Sequence, residues 1–290
     1  MNAHASYRRA GRSPRLLLPF ALLLAALPPV PPARSQVATT PPDAGGLERL
    51  ALARTGTFEV WQDTTRLGTE FYRVYSTPKG DSLLAISTVR YELRGQDGLT
   101  AYEKWTLGIT RGLDAFPLLF QSREGIGGRQ RVLNLNFREG NAIIFRESEG
   151  SGQANVVGVP PGRLYILDPN VYEHIEALVS DFCERGLATR LQNVIMTPRD
   201  TVLQVRLTRG PQETIEGPGR GKRKATRVDV FDDLTLIKTW LDEQGLLLRL
   251  EAPAQKLRVL RLPPGKAEAE AAAGAAKGSA PAKGAAPPRP

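Results

Sequence analysis

The side chains that most often carry chemistry are scarce in this chain. It has one cysteine, Cys183, and two histidines, His4 and His174. A single cysteine cannot form an intramolecular disulfide. A structural zinc site takes four Cys or His ligands, and a catalytic one usually takes two or three histidines; neither can be assembled here. A Ser-His-Asp or Cys-His arrangement would have to use His174. That residue stands in Val171-Tyr172-Glu173-His174-Ile175, at the start of an expected helix, where a surface histidine is the ordinary outcome. Cys183 follows on the same helix about 180° away in azimuth, at roughly 100° per residue, so the two cannot pair. No metal or cofactor is expected.

Carboxylates need less. Glycoside hydrolysis requires two acids at the right separation, and Glu59, Glu70, Glu92, Glu103, Glu124 and Glu147 all fall in or beside expected strands. Alternating strands ordinarily turn such residues to water, and their spacing selects no pair. Gly125-Ile126-Gly127-Gly128 has the outline of a phosphate loop. A true one follows a strand and opens a helix; this run separates two strands and reads as a hairpin turn. Residues 210–224 read as a loop carrying Arg220, Lys222, Arg223 and Lys224. Those four are candidates for an anionic headgroup or membrane surface. The aromatics are the last set. Trp61, Phe71, Tyr75, Trp105, Phe145 and Trp240 all fall in expected strands and are the candidate contact surface for an apolar ligand. The same rings would equally fill the core of a closed barrel.

The scaffold for these residues reads as β. Residues 56–62, 67–76, 83–93, 99–107, 115–123, 129–137 and 142–147 are rich in strand formers and largely alternate in polarity. Turn residues such as Pro78-Lys79-Gly80-Asp81 and Glu139-Gly140-Asn141 separate them. Strands joined so tightly are antiparallel neighbours in a meander. The pattern breaks between 150 and 200. There Asp168-Pro169-Asn170 looks like a helix start capped by a short polar side chain. Val171, Ile175, Leu178, Val179 and Phe182 then recur at helical spacing, and Gly186 ends the run. Strands resume over 202–207, 225–231, 235–241, 246–251 and 256–260, with a glycine turn at Asp242-Glu243-Gln244-Gly245. The expected fold is mainly β: a curved antiparallel sheet, an open or half barrel, with one amphipathic helix packed on it.

The ends of the chain point to a compartment. Arg8, Arg9, Arg12 and Arg15 precede a twelve-residue, almost wholly apolar run over 16–27. That is too short to span a bilayer, which takes about 20 residues. Ala33-Arg34-Ser35 then places small residues at −3 and −1 for cleavage before Gln36. Residues 1–35 therefore read as a signal peptide, and the protein as exported to the periplasm or the exterior of a bacterial cell. Residues 36–53 read as a flexible lead-in with a short helix or turn near its end, 54–262 as one β-rich domain, and 263–290 as a disordered Ala/Pro/Lys tail. The formal charge is +9, from 39 basic and 30 acidic side chains. The leader holds five of the basic residues and the tail four, against two acids, which leaves 30 basic and 28 acidic in between. A nucleic-acid binder concentrates positive charge on its folded face; this chain does not, and nucleic acid is not an expected partner.

Two stretches carry a resemblance. Lys238-Thr239-Trp240-Leu241-Asp242 followed by Gly245-Leu246-Leu247-Leu248-Arg249-Leu250-Glu251 resembles the late hairpin of the periplasmic lipoprotein-carrier (LolA/LolB-like) half-barrel group. The hairpin over 56–75, with its Leu67-Gly68 step, is similar to the opening hairpin of related envelope domains of unknown function. The resemblance implies a leader, a curved sheet with helices on its concave side, and a role in shielding a lipid or acyl chain. The sequence thus predicts a non-catalytic envelope protein that binds a hydrophobic or amphiphilic ligand. A protein–protein interaction or structural module in the envelope is the alternative, and a carboxylate-based hydrolase a further one.

Overall fold

The computed structural model describes residues 50–95, 98–112, 114–217, 221–232 and 234–265. The signal-peptide reading of 1–35, most of the lead-in, nearly all of the tail, and Arg220 fall outside the described residues. The N-terminal arm is a run of eight strands: β1 (Ala51–Gln62), β2 (Thr65–Ser76), β3 (Ser82–Gly95), β4 (Gly98–Arg111), β5 (Phe116–Ile126), β6 (Arg129–Arg138), β7 (Asn141–Ser148) and β8 (Ser151–Gly158). A short β9 (Leu164–Leu167) leads into α1 (Tyr172–Glu184). The C-terminal arm is β10 (Thr189–Met196), β11 (Thr201–Glu216), β12 (Lys222–Phe231), β13 (Leu236–Leu241), β14 (Leu247–Ala252) and β15 (Leu257–Arg261).

All fifteen strands belong to one sheet, ordered β8-β7-β6-β5-β4-β3-β2-β1-β15-β14-β13-β12-β11-β10-β9. The first and last strands pair at its middle, Val60 opposite Val259. Every neighbouring pair is antiparallel except β9–β10. Consecutive tight turns make the meander. Gly127-Gly128, Glu139-Gly140 and Glu149-Gly150 each place two successive residues at positive φ, the conformation that matches strand twist in a two-residue hairpin.

The sheet curls without closing. Its concave side holds α1, whose first half packs on β1–β4 and β14–β15 through Val171, Tyr172 and Ile175 with Phe58, Tyr72, Val89 and Leu250. Its second half packs on β9–β13 through Leu178, Val179 and Phe182 with Val194, Leu207, Val228 and Leu241. The two arms then overlap. Tyr165 and Val194 face the helix, whereas Leu164 and Ile195 of the same strands pack with Phe120, Leu135 and Ile144 of β5–β7. Strands β9 and β10 are thus sandwiched, and the roll is sealed by side-chain contacts rather than by a strand ladder between β8 and β9.

Several expectations are corrected. Residues 51–53 are already strand, not the short helix or turn expected before 54. Residues 210–216 and 222–224 are strand, not loop: β11 and β12 pair antiparallel here, Lys224 with Thr214 and Lys222 with Glu216. Strands β8, β9 and β10 occupy the region where the strand pattern fades. Asp168 does not cap α1; the helix N-cap residue Val171 has no side-chain cap, and the free amides of Tyr172 and Glu173 donate to Glu70 of β2, at 2.7 and 3.3 Å. His174 is half-buried rather than open to solvent. Its ring packs edge-on to Phe120, and its Nδ1 accepts a hydrogen bond from the Asp168 amide at 3.2 Å.

Two glycines are fixed by close approach. A Cβ on Gly68 would lie 2.0 Å from the Arg90 carbonyl oxygen, and one on Gly56 would lie 2.4 Å from Arg261 Nη1 and 2.7 Å from the Tyr72 hydroxyl. Gly56→Ala is expected to destabilise the fold by about 1–3 kcal/mol, the usual cost of overpacking, read as a lower urea midpoint; an unchanged midpoint would show that the neighbouring side chains move aside freely.

Candidate functional site

The concave side is rich in polar groups, and they are paired with one another. Tyr72 donates to Glu176 Oε1 at 2.7 Å, and Arg261 Nη2 donates to the Tyr72 hydroxyl at 2.6 Å and to Glu176 Oε2. Arg54 reaches Glu176 and Glu173 at 3.3 and 3.4 Å. A second node joins Lys104 to Asp168 at 2.5 Å and to the Pro169 carbonyl at 3.1 Å, with Thr197 donating to the other Asp168 oxygen. Glu70, Glu173 and Glu176 are each at most 3% exposed. Burial pushes the Glu70 carboxyl up to about 8, against the pull of the two helix amides, with the charge of Glu173 raising it further. Burial likewise raises Glu173 to about 7, opposed by Arg54 and reinforced by Glu176. Burial lowers His174 to about 4. Desolvation of this kind favours the neutral form in each case.

This arrangement is structural rather than open to substrate. Of the six strand carboxylates, Glu70 is buried under the helix. Glu124 turns toward Lys104 at 3.7 Å, Glu59 is held by Arg66 at 2.6 Å, and Glu103 lies by Arg90 at 3.5 Å. Glu92 and Glu147 are exposed. The acids that do converge, Glu70, Glu173 and Glu176, have no solvent access for a sugar. No group of three or more His, Cys, Asp or Glu side chains among the described residues is placed to hold a metal ion.

The candidate aromatics stand on the other face. Val60, Tyr72, Val74 and Ile144 point into the core clusters, and so does Leu241. Lys104 is likewise turned in toward the helix-start loop. Strand alternation therefore turns Trp61, Phe71, Tyr75, Trp105, Phe145 and Trp240 outward. Three of them share one surface. Phe71 and Trp105 flank Thr88, while Tyr75 flanks Leu84, which in turn lies opposite Ile109. Ile86 and Leu107 are paired between these rows, and Leu119 extends them onto β5. The outer face of β2–β5 is thus an apolar band, bordered by exposed arginines: Arg73 sits 4.9 Å over the Phe71 ring, and Arg123 lies opposite Trp105.

The other three aromatics are separate from this band. Trp61 bonds Glu59 at 3.0 Å and lies under Arg258. Trp240 is buried among Ile215, Ala225 and Leu248, with its indole N–H on Glu213 at 2.8 Å. Phe145 is 38% exposed on β7. Lys222, Arg223 and Lys224 are exposed at the β11–β12 tip. That tip is five strand spacings from β2, about 24 Å along the sheet, too far to meet the headgroup of a lipid lying on the band. A cleft of about 370 Å³, lined by Ile144, Arg146, Gln153, Ala154, Asn155 and Asp200, lies where the arms overlap; Arg146 clamps it by pairing with Asp200 and donating to the Thr197 carbonyl. Sequence reasoning missed Arg73 and Arg123, which look like any wet-face cations until the register sets them beside the rings.

The chain matches no protein-family model and no curated protein. Among solved structures it is similar to the crystal structure of a β-barrel-like protein of domain of unknown function DUF1849 from Brucella abortus. The identity is 10% and the TM-score 0.48, over 73% of this chain and 97% of that one.

The buried acids set a pH dependence. A carboxyl raised from an ordinary value of 4.5 to about 8 in the fold binds its proton more tightly when folded. Its contribution is therefore complete below about 4.5 and is lost as pH rises through 8. Glu173 acts the same way up to about 7. His174 acts oppositely, but only between about 4 and 6.5. The melting temperature is expected to fall from pH 5 to about pH 8, most steeply between about 6.5 and 7, and to level off above 8; Glu70→Gln, which keeps an acceptor for the helix amides, should flatten that fall. An equally steep profile in the variant would assign the effect elsewhere.

Proposed function

We propose that this chain is an exported, non-catalytic binding protein of the bacterial envelope, and that it meets a hydrophobic or amphiphilic ligand, a lipid or acyl chain, on the outer face of β2–β5. The observation that carries the reading is the placement of Phe71, Tyr75 and Trp105 beside Leu84, Ile86 and Ile109 on one face, with α1 occupying the opposite one. Aromatic rings joined to aliphatic rows form the kind of amphipathic surface that sits at a membrane boundary. The two exposed arginines at its border favour an anionic headgroup, and Glu103, two residues from Trp105 on this face, is itself paired with Arg90. The lipoprotein-carrier resemblance of 238–251 and the leader-like residues 1–35 support the compartment. Among the described residues no helix is long and apolar enough to cross a membrane.

A second reading, an interaction module for another envelope protein, is favoured by the shape of the surface: the band is a sheet face rather than an enclosed groove. One experiment separates them. Cosedimentation with vesicles containing phosphatidylglycerol should pull the protein down, and Phe71→Ala with Trp105→Ala should weaken that partition at least about 10-fold, since each ring contributes roughly 1.5–3 kcal/mol on burial. Arg73→Gln with Arg123→Gln should weaken it mainly at low salt. Trp240→Ala should lower stability and leave partition intact. No vesicle binding, no lipid on organic extraction, and a discrete protein cross-linked from a photoreactive residue at Ile86 would together move the assignment to the interaction module.

A further inference from the structure

The two ends of the sheet are protected very differently. β9 has four residues, Leu-Tyr-Ile-Leu, and is sandwiched between α1 and β5–β7. β8 has eight, Ser-Gly-Gln-Ala-Asn-Val-Val-Gly, and all but Val157 are exposed. Among the described residues it pairs with β7 alone, in unbroken register from Ser148–Ser151 to Asn141–Gly158. Proteins normally blunt an exposed edge with charge, proline or a bulge. β8 has none of these, whereas every other strand except β9 carries at least one charged side chain. Beside the edge lie exposed apolar side chains, Val156 at 61%, Ile143 at 39% and Phe145 at 38%. Ile143 pairs with Val156 and Phe145 with Ala154, so these groups share the outer face.

We propose that β8 is a self-association edge, pairing antiparallel with β8 of a second copy of this chain about a twofold axis. The geometry selects the register. The Val156 amide is met by its own neighbour, Asn155 Oδ1, at 2.9 Å, which marks it as an outward-facing donor rather than one spent on β7. Strand alternation then makes Gly152, Ala154 and Gly158 outward-facing as well. Setting Asn155 opposite Asn155 pairs Ala154 with Val156 and Gly152 with Gly158, and no outward amide or carbonyl from 152 to 158 is left without a strand partner. The pairing opposes no like charges, since the strand has none. It brings Val156 of each copy against Ala154 and Phe145 of the other. Association stops at two copies, because β8 is consumed and β9 is covered. A single strand seam buries less than the 1,200 Å² or so of a stable interface, so the dimer is concentration-dependent. This inference is independent of the ligand-binding band, which lies on strands β2–β5.

The test is a covalent trap backed by sedimentation. Asn155→Cys, made with Cys183→Ser in the full chain, places two thiols directly opposite in a non-hydrogen-bonded pair, about 4.5 Å between Cα atoms, within the range a disulfide spans. Mild oxidation should give a disulfide-linked dimer at least about tenfold faster than Gln153→Cys in the same background, and adding Val156→Lys should abolish it. The chain with its native β8 should move from monomer to dimer in sedimentation velocity as its concentration rises through the micromolar range, with slower hydrogen exchange over 152–157. Positions 153, 155 and 156 are exposed, and the half-buried Cys183 is replaced by its isostere serine in every variant compared, so loss of the fold does not confuse the outcome. A monomer at every concentration, or a dimer in which position 155 cross-links no faster than position 153, overturns the proposal.

Discussion

One buried carboxylate organises the molecule. Glu176 is fully buried, and it accepts from Tyr72 of β2 and Arg261 of β15 while lying within 3.3 Å of Arg54 of β1. Arg261 also donates to the Leu247 carbonyl at the start of β14. A single side chain of α1 is therefore bound to the strands where β1 and β15 meet. Such a node is not strong evidence of stability in itself, because desolvation offsets much of the attraction; removing one member, however, strands a charge in the core at about 3–5 kcal/mol. The apolar clusters on either side of the helix hold it without direction. The ionic node gives the direction, fixing which turn of α1 lies over the β1–β15 junction.

With the helix set, the rest of the roll follows. The concave surface of β1–β4 is covered by the first half of α1, and that of β10–β13 by the second half. Most of the remaining concave surface, on β5–β7, lies beyond the helix, which touches it through His174 on Phe120. It is covered by the sheet's own far end, with Leu164 and Ile195 as the contacts. A closed barrel would have joined β8 to β9 by hydrogen bonds and removed both edges. Here β9 is drawn inside, β8 is left outside, and Arg146 ties the overlapping layers at their rim through its ion pair with Asp200 and its hydrogen bond to the Thr197 carbonyl. The free edge is the geometric consequence of covering the last strands with sheet rather than helix.

The parts of the fold legible in the sequence are those with one wet face and one dry one. Strands β2–β7 have that asymmetry, and their polarity alternates. β8 has no dry face and so no period. β9 has two dry faces and reads as a continuous apolar run of four, too short to tell from a helix segment. The β11–β12 tip was obscured by glycines and cations that say loop, while the pairing there is carried by the backbone. The helix was legible from its apolar spacing, but not its cap, since the capping carboxylate is 102 residues upstream. The candidate site was legible only in part. Phe71 and Tyr72 are adjacent aromatics in one strand, and nothing in the sequence decides which of them faces the core. Buried Glu70, Lys104 and Arg261 read as wet-face charges because their partners are distant in sequence.

The orientation of the aromatics bears on function through what packing requires. The inner face already uses its large rings: Phe58, Tyr72 and Phe120 are fully buried, and the polar groups between them are taken by one another. A ligand entering there would have to displace α1 and unpair Glu176. The outer face has no such demand. Threonine, lysine or glutamate would satisfy an exposed strand position as well as a half-buried ring does, and β6 shows this with Gln130, Asn134 and Asn136. On the outer face of β2–β5, Phe71, Tyr75, Ile86, Trp105 and Ile109 are half-buried instead, and Leu84 and Leu107 between them are buried. Under the proposed function, this band on the solvent side of the sheet is the surface that the ligand covers.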